Sequence, residues 1–90
     1  MRIIYKIEKS EVSEENLQKF LNFFSVPDEN LTIMFTDVEV RLDDESIFVP
    51  RLIVKYKSTF VANLAVFSGN DWGQLAIHVI NCLDNVIANE

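Results

Sequence analysis

The feature that most constrains this fold is a run of apolar residues near the carboxyl end of the chain. Between residues 72 and 87 the apolar positions recur every three or four residues, which is the pattern of an amphipathic helix. They are Trp72, Leu75, Ala76, Val79, Ile80, Leu83, Val86 and Ile87. A helix with one apolar face has to bury that face, so the rest of the chain must supply a second layer.

The middle of the chain supplies this layer as β-strands, because its apolar residues alternate with polar ones. Strand patterns occupy residues 31–42, 46–56 and 60–67, with turn signals at 43–45 and 57–59. The apolar parity switches at Thr36 and Asp37, so we expect a bulge or a turn there. Pro50 predicts a kink or an edge position in its strand. The segment 60–67 is apolar on both faces, which predicts a central strand.

The amino-terminal part adds one strand and a second helix. Residues 2–7 alternate as a strand, and residues 13–24 form an apolar helical stripe with Ser13 as the N-cap and Pro27 beyond its end. The chain is therefore expected to be one α+β domain over residues 1–90. The predicted architecture is an antiparallel sheet of four to five strands with two helices packed on one face, in the order β-α-β-β-β(-β)-α. We expect Asn70 or Ser68 to cap the last helix.

The charge of the chain excludes more classes of binding partner than any sequence motif does. The net charge is −6, from 14 acidic and 8 basic residues. Binding to a nucleic-acid backbone or to an anionic membrane needs the opposite balance, so we expect neither. Residues 8–45 carry 11 acids and 3 bases, whereas residues 46–90 carry 3 acids and 3 bases. The expected partner is therefore a basic protein, attracted by the acidic half of the chain.

The acidic residues of this half are the predicted partner-binding surface. They are Glu11, Glu14, Glu15, Asp28, Glu29, Asp37, Glu39, Asp43, Asp44 and Glu45. The alternative is that they only keep the protein soluble, as net charge does for any small domain. Phe23 and Ile77 lie beside the helical stripes and are difficult to bury, so each is a candidate contact residue.

Catalytic and metal sites have weaker support. Asp37 and Glu39 share one face of a strand and, with Asp43 and Asp44, suggest a hard-cation site and a small metal-dependent enzyme as an alternative. Cross-strand pairs with Arg51, Lys55 and Lys57 would explain the same acids. His78 and Cys82, one helical turn apart, are too few ligands for structural zinc. We expect an exposed His78, a buried and inert Cys82, no catalytic residue, no metal and no cofactor.

The expected compartment is the cytoplasm, of a bacterium or of a host cell. Cys82 is the single cysteine, so no internal disulfide forms, whereas small secreted domains often carry several. Residues 1–7 lack the apolar stretch of a signal peptide. No segment has the roughly 20 apolar residues of a membrane helix.

These observations predict a non-enzymatic protein-binding module, an inhibitor or antidote that occludes a basic, nucleic-acid-binding protein. Phage anti-defence proteins such as anti-CRISPRs, and immunity proteins against nuclease toxins, have this general character. No family motif matches residues of this chain, so no site is transferred from them. The alternatives are the metal-dependent enzyme and a structural protein that forms a homodimer, which the two-sided apolar segment 60–67 and a strand edge near Pro50 favour.

Overall fold

The computed structural model describes residues 1–8, 12–24 and 29–89 of the chain. Its elements are β1 (Arg2–Lys6), α1 (Glu14–Leu21), β2 (Leu31–Leu42), β3 (Glu45–Tyr56), β4 (Thr59–Ala65) and α2 (Trp72–Ala88). The predicted α+β class and the order β-α-β-β-β-α are confirmed. The four strands lie in the spatial order β1-β2-β3-β4, with β1 parallel to β2 and the other neighbours antiparallel. The predicted antiparallel pairing holds for β2, β3 and β4, whereas β1 is parallel to β2 because α1 returns the chain to the starting end of β1.

One hydrophobic core lies between the sheet and the two helices. The ring of Phe35, on β2, has its centroid 5.5 Å from that of Phe20 on α1 and 6.2 Å from that of Trp72 on α2. All three side chains are buried. Because both helices contact the same residue of β2, they lie on one face of the sheet, as predicted. The opposite face, which neither helix covers, is called the open face below.

The first helix begins where the sequence predicts and ends earlier. The Ser13 hydroxyl accepts a hydrogen bond from the backbone N–H of Asn16, which confirms the predicted N-cap. The N–H groups of Phe23 and Phe24 donate to carbonyls only three residues earlier. These tighter bonds close the last turn, so α1 ends at Leu21 and not at residue 24.

The second helix is capped by a residue next to the predicted ones. The Asp71 carboxylate accepts from the backbone N–H of Gln74 at 3.1 Å, which is the N-cap geometry. Asn70 is occupied elsewhere, because its side-chain oxygen accepts from the N–H of Phe67 at 2.7 Å. The predicted caps, Asn70 and Ser68, were therefore wrong, and the N-cap is Asp71, one residue after Asn70.

Both predicted turns of the strand region are confirmed. They are the two-residue connections 43–44 and 57–58, which join β2 to β3 and β3 to β4. Asp43 and Lys57 adopt φ angles of 54° and 56°, in the left-handed region. That region is common for Asp and rare for Lys, so the turn at Lys57 gave a weaker sequence signal.

The prediction that residues 60–67 form a central strand was wrong, since β4 lies at the edge of the sheet. One of its faces packs against the core through Val61, Ala62 and Leu64. On the open face, Phe60 is 59% exposed and lies against the ammonium group of Lys55. Apolar residues on both faces therefore reflect one buried face and one uncovered face, and not burial between two layers.

Pro50 occupies a local edge within a continuous strand. The register between β2 and β3 passes through it unbroken. Its carbonyl accepts from the N–H of Val66 at 2.9 Å, at the point where β4 ends. The N–H and C=O of one strand residue point to the same side, so the missing N–H of Pro50 removes no bond to β2. The predicted edge position holds for the β4 side alone.

We expect Phe35→Ala to lower the free energy of unfolding by about 3–5 kcal/mol, because it leaves a cavity between both helices and the sheet. Phe67→Ala is the control, since its ring is 60% exposed. The control should change the same quantity by less than about 0.5 kcal/mol. Urea unfolding followed by circular dichroism measures both values, and equal losses would contradict the central place of Phe35.

Candidate functional site

The most distinctive part of the molecule is the far end of the β2–β3 hairpin. β1 pairs with β2 only as far as Thr36, and β4 pairs with β3 only from Arg51 onward. Residues 37–50 therefore form strand pairs with one another, and at their base the Pro50 carbonyl also accepts from Val66. We call residues 37–50 the arm and the rest of the sheet the body. At about 3.4 Å per residue, the arm projects roughly 20 Å beyond the body. The molecule is correspondingly elongated, measuring 45 × 25 × 20 Å.

The parity switch at Thr36 and Asp37 marks the base of the arm. The expected bulge or turn is absent, because β2 and β3 pair in one unbroken register over all of β2. In the body, the helix-facing side of β2 is apolar because the helices cover it. In the arm the same side has no helix above it and carries Asp37, Glu39 and Arg41. The apolar residues of β2 change from one side of the strand to the other because the helix layer ends there, although the strand continues unbroken.

The open face of the arm carries a continuous group of aliphatic side chains. Val38 lies opposite Val49, and Val40 lies opposite Ile47, with Leu42 next along β2. Val38, Val40, Leu42 and Ile47 are 37%, 36%, 57% and 43% exposed. Single exposed aliphatic residues are common, whereas a contiguous exposed group is a candidate interaction surface. We call these five residues the aliphatic strip.

Acidic groups gather at the base of the arm on its helix side. Because β1 is parallel to β2, the chain leaves β1 at the base of the arm, and α1 starts there. The Asp37 carboxylate accepts from the backbone N–H of Glu8 at 2.9 Å. Burial of the Tyr5 phenol raises its pKa, and the charges of Glu14 and Asp37 raise that pKa further. We call the following set the acidic corner: Glu8, Glu14, Glu15, Asp37 and Glu39.

The structure brings together only part of the predicted acidic set. Four of its members lie in the acidic corner: Glu14, Glu15, Asp37 and Glu39. Three form an acidic tip, roughly 20 Å away at the end of the arm: Asp43, Asp44 and Glu45. Glu29 precedes β2 at the other end of the sheet, and Glu11 and Asp28 lie outside the described residues. Glu8 was not among the predicted residues. Its backbone N–H donates to Asp37, which brings it into the acidic corner, and no local sequence pattern predicts this bond.

The acids considered for a cation are not assembled. Asp37 and Glu39 are about 7 Å apart along β2, whereas Asp43 and Asp44 lie at the tip. Across the described ranges, no group of three or more His, Cys, Asp or Glu side chains is placed to hold a metal ion. The expected cross-strand pairs with Arg51 and Lys55 are wrong, because Arg51 lies opposite Thr36 and Lys55 lies opposite Thr32. The residues opposite Asp37 and Glu39 are Pro50 and Phe48, while Arg51 and Lys55 point to the open face.

The residues singled out on the helices lie on the side away from the aliphatic strip. His78 is exposed, as predicted, and its Nε2 is 3.8 Å from the sulfur of Cys82, which is half-buried and not buried as expected. Phe23 and Ile77 are 46% and 44% exposed. A Cβ on Gly73 would approach the Phe23 ring to 3.1 Å, so the glycine lets that ring cover the start of α2.

We expect Glu14→Gln to lower the pKa of Tyr5, because it removes a negative charge that opposes ionisation of the phenol. Glu29→Gln is the matched control, at the other end of β2. Absorbance titration of tyrosinate above pH 10, with Tyr5→Phe used to assign the transition, measures the effect. An unchanged Tyr5 transition in Glu14→Gln would contradict the arrangement of the acidic corner.

The raised pKa of Tyr5 also makes the free energy of unfolding depend on pH in the alkaline range. The folded-state pKa of Tyr5 lies above its unfolded value, so the folded state holds the proton more tightly. The stabilisation that the protonated Tyr5 gives the folded state is complete below pH 10, and it is lost as the pH rises through the folded-state pKa. The Tyr5 hydroxyl donates to the Val12 carbonyl at 3.1 Å, and ionisation removes that bond.

Two surfaces of the arm are thus candidates for binding. The acidic corner and tip carry charge, and the aliphatic strip carries exposed apolar area. Within the described residues, neither helix has the length and apolarity needed to cross a membrane. No protein-family model matches this chain, and comparison with curated proteins and with solved structures finds no significant match.

Proposed function

We propose that this chain is a non-enzymatic protein-binding module that docks its acidic corner onto a basic protein. In this proposal the docked chain occludes a surface with which the partner binds nucleic acid. The observation that supports it best is the gathering of acids between the start of α1 and the base of a projecting arm. Among the described residues of the arm, Arg41 is the one base.

The electrostatics of the corner favour a cationic surface. Glu14 and Glu15 occupy the first turn of α1, where the helix dipole stabilises negative charge. Glu39 extends the same charge along the exposed side of the arm. Charges of one sign on adjacent elements add their fields, which speeds encounter with a basic surface and opposes acidic partners.

Asp37 has a structural part in this surface. One of its carboxylate oxygens is engaged by the N–H of Glu8, and its side chain is half-buried. It therefore holds the end of β1 against the base of the arm. The exposed carboxylates Glu14, Glu15 and Glu39 are the proposed contact groups.

The basic surface of a nucleic-acid-binding protein is the kind of target that the acidic corner suits. Proteins that hold nucleic acid present lysine and arginine side chains to the phosphates, often within a groove. Inhibitors and antidotes, including anti-defence and toxin-immunity proteins, are the functional class that this proposal names.

The test is capture by the immobilised chain from a bacterial lysate, with the bound proteins identified by mass spectrometry. We expect a basic nucleic-acid-binding protein to bind, and to elute at about 0.5 M NaCl, where charges on the surface are screened. Heparin or duplex DNA should displace it, because each competes for the same basic surface. The variant E14K/E39K should lose the captured protein.

The matched control is E29K/D84K, which changes the net charge equally at exposed acids outside the acidic corner. It should capture the partner as the wild type does. Retention by E14K/E39K would refute the acidic corner as the docking surface. Equal loss in both variants would show attraction by net charge alone, which also contradicts the proposal.

A further inference from the structure

The open face divides into an apolar part and a basic part. The aliphatic strip covers the arm, and in the body a row of half-buried apolar side chains crosses the sheet through Ile4, Met34 and Ile53. Basic residues flank this row on both sides, at open-face positions of β1 and β3. They are Arg2, Lys6, Arg51 and Lys55.

This placement concentrates positive charge on a protein that is acidic as a whole. The four bases are half of the 8 in the chain. Among the described strands, no acid occupies an open-face position of the body. Two of the bases are held in place: Arg51 Nε donates to the Asn63 side chain at 2.8 Å, and Lys55 Nζ lies 4.5 Å from the Phe60 ring centroid. The open face of the body is therefore basic, while the tip of the arm is acidic.

We propose that the open face binds a second copy of this chain, face to face, with the two arms pointing in opposite directions. A two-fold axis across the strands, at the level of the Asp37–Pro50 pair, places each arm over the body of the other copy. Val40 then lies over the second copy's Met34, and Ile47 over its Ile53. The acidic tip lies over the end of the body that carries Arg2 and Lys55.

The chain matches itself in this register because its open face is self-complementary. Along β3, Glu45 and Lys55 are equidistant from Pro50, as are Ile47 and Ile53. A two-fold interface requires this property, since each surface must fit an identical copy of itself. Packed sheets lie about 10 Å apart with their strands within about 30°, so long acidic and basic side chains reach across at the ends.

Pairing through the free edge of β4 accounts for less of the structure. It would add strands to the sheet and leave the aliphatic strip in water. Face-to-face packing covers that strip and brings the second copy's acidic tip to Arg2 and Lys55, while Lys6 and Arg51 lie near the two-fold axis. It also turns both helix layers outward, so that the acidic corner of each copy stays accessible. The inference is thus independent of the proposed basic partner.

The test is the mass in solution, measured by light scattering and sedimentation at about 100 µM protein, where a micromolar dimer is populated. The wild type should have about twice the monomer mass of 10.4 kDa. The tip variant D44K/E45K and the body variant R2E/K55E each oppose like charges, and each should weaken dimerisation on the order of 100-fold.

An equimolar mixture of these two variants is the sharpest measurement. The positive tip of one variant meets the negative body of the other, and the remaining tip and body are also opposite in sign. The mixture should therefore recover a dimer that contains one copy of each variant. Circular dichroism of the separate variants checks that each is folded. Recovery of the dimer on mixing is a second check, because unfolded variants could not form it.

The matched control is E14K/E39K, which changes the net charge as the tip variant does but on the helix side. It should remain a dimer even though it loses the basic partner, so the two proposals fail separately. A wild-type protein that is monomeric at this concentration would overturn the inference. The same holds if the monomer binds a labelled single-stranded oligonucleotide, because the basic open face would then serve a nucleic acid and not a second copy. Dimers of normal affinity in both variants, or a mixture that stays monomeric, would also overturn it.

Discussion

The contact of Phe35 with both helices is the interaction on which the rest of this structure depends. Phe20 meets its ring at 84°, edge to face, and Trp72 meets it at a tilt of 37°. This cluster joins α1, α2 and β2 and places both helices on one face. It also lies next to the end of the helix cover, because the next helix-facing residue of β2 is Asp37. The cluster therefore divides β2 into a buried half and an arm.

The division gives each side of the arm its chemical character. Without helices above it, the helix side is free to carry carboxylates, and Asp37 and Glu39 continue the acidic surface that starts on α1. The aliphatic residues move to the open face, where no part of the described chain covers them. An isolated two-stranded ribbon gains little from its own burial. In the proposed dimer the strip packs against the apolar row of the second copy's body.

Local signals predicted the elements well and their arrangement less well. The Ser13 cap, the turn at residues 43–44 and the stripe of α2 follow from neighbouring residues, so the sequence shows them directly. The position of β4 at the edge does not, because apolar residues on two faces describe a strand between layers and a half-covered edge strand equally. The shift of the α2 cap to Asp71 has a similar cause, since Asn70 has a competing hydrogen bond within the preceding turn.

The α+β class, the order of the elements and the excess of acids in residues 8–45 can be read from the sequence alone. These properties depend on composition and on periods of two or 3.6 residues, which are local. Only the tertiary structure decided which acids meet. It separated Glu29 from Glu14, added Glu8, and placed Arg51 and Lys55 on a basic face that the charge count had hidden. Alternation along a strand shows that its two faces differ, but what covers each face is set by elements distant in the chain.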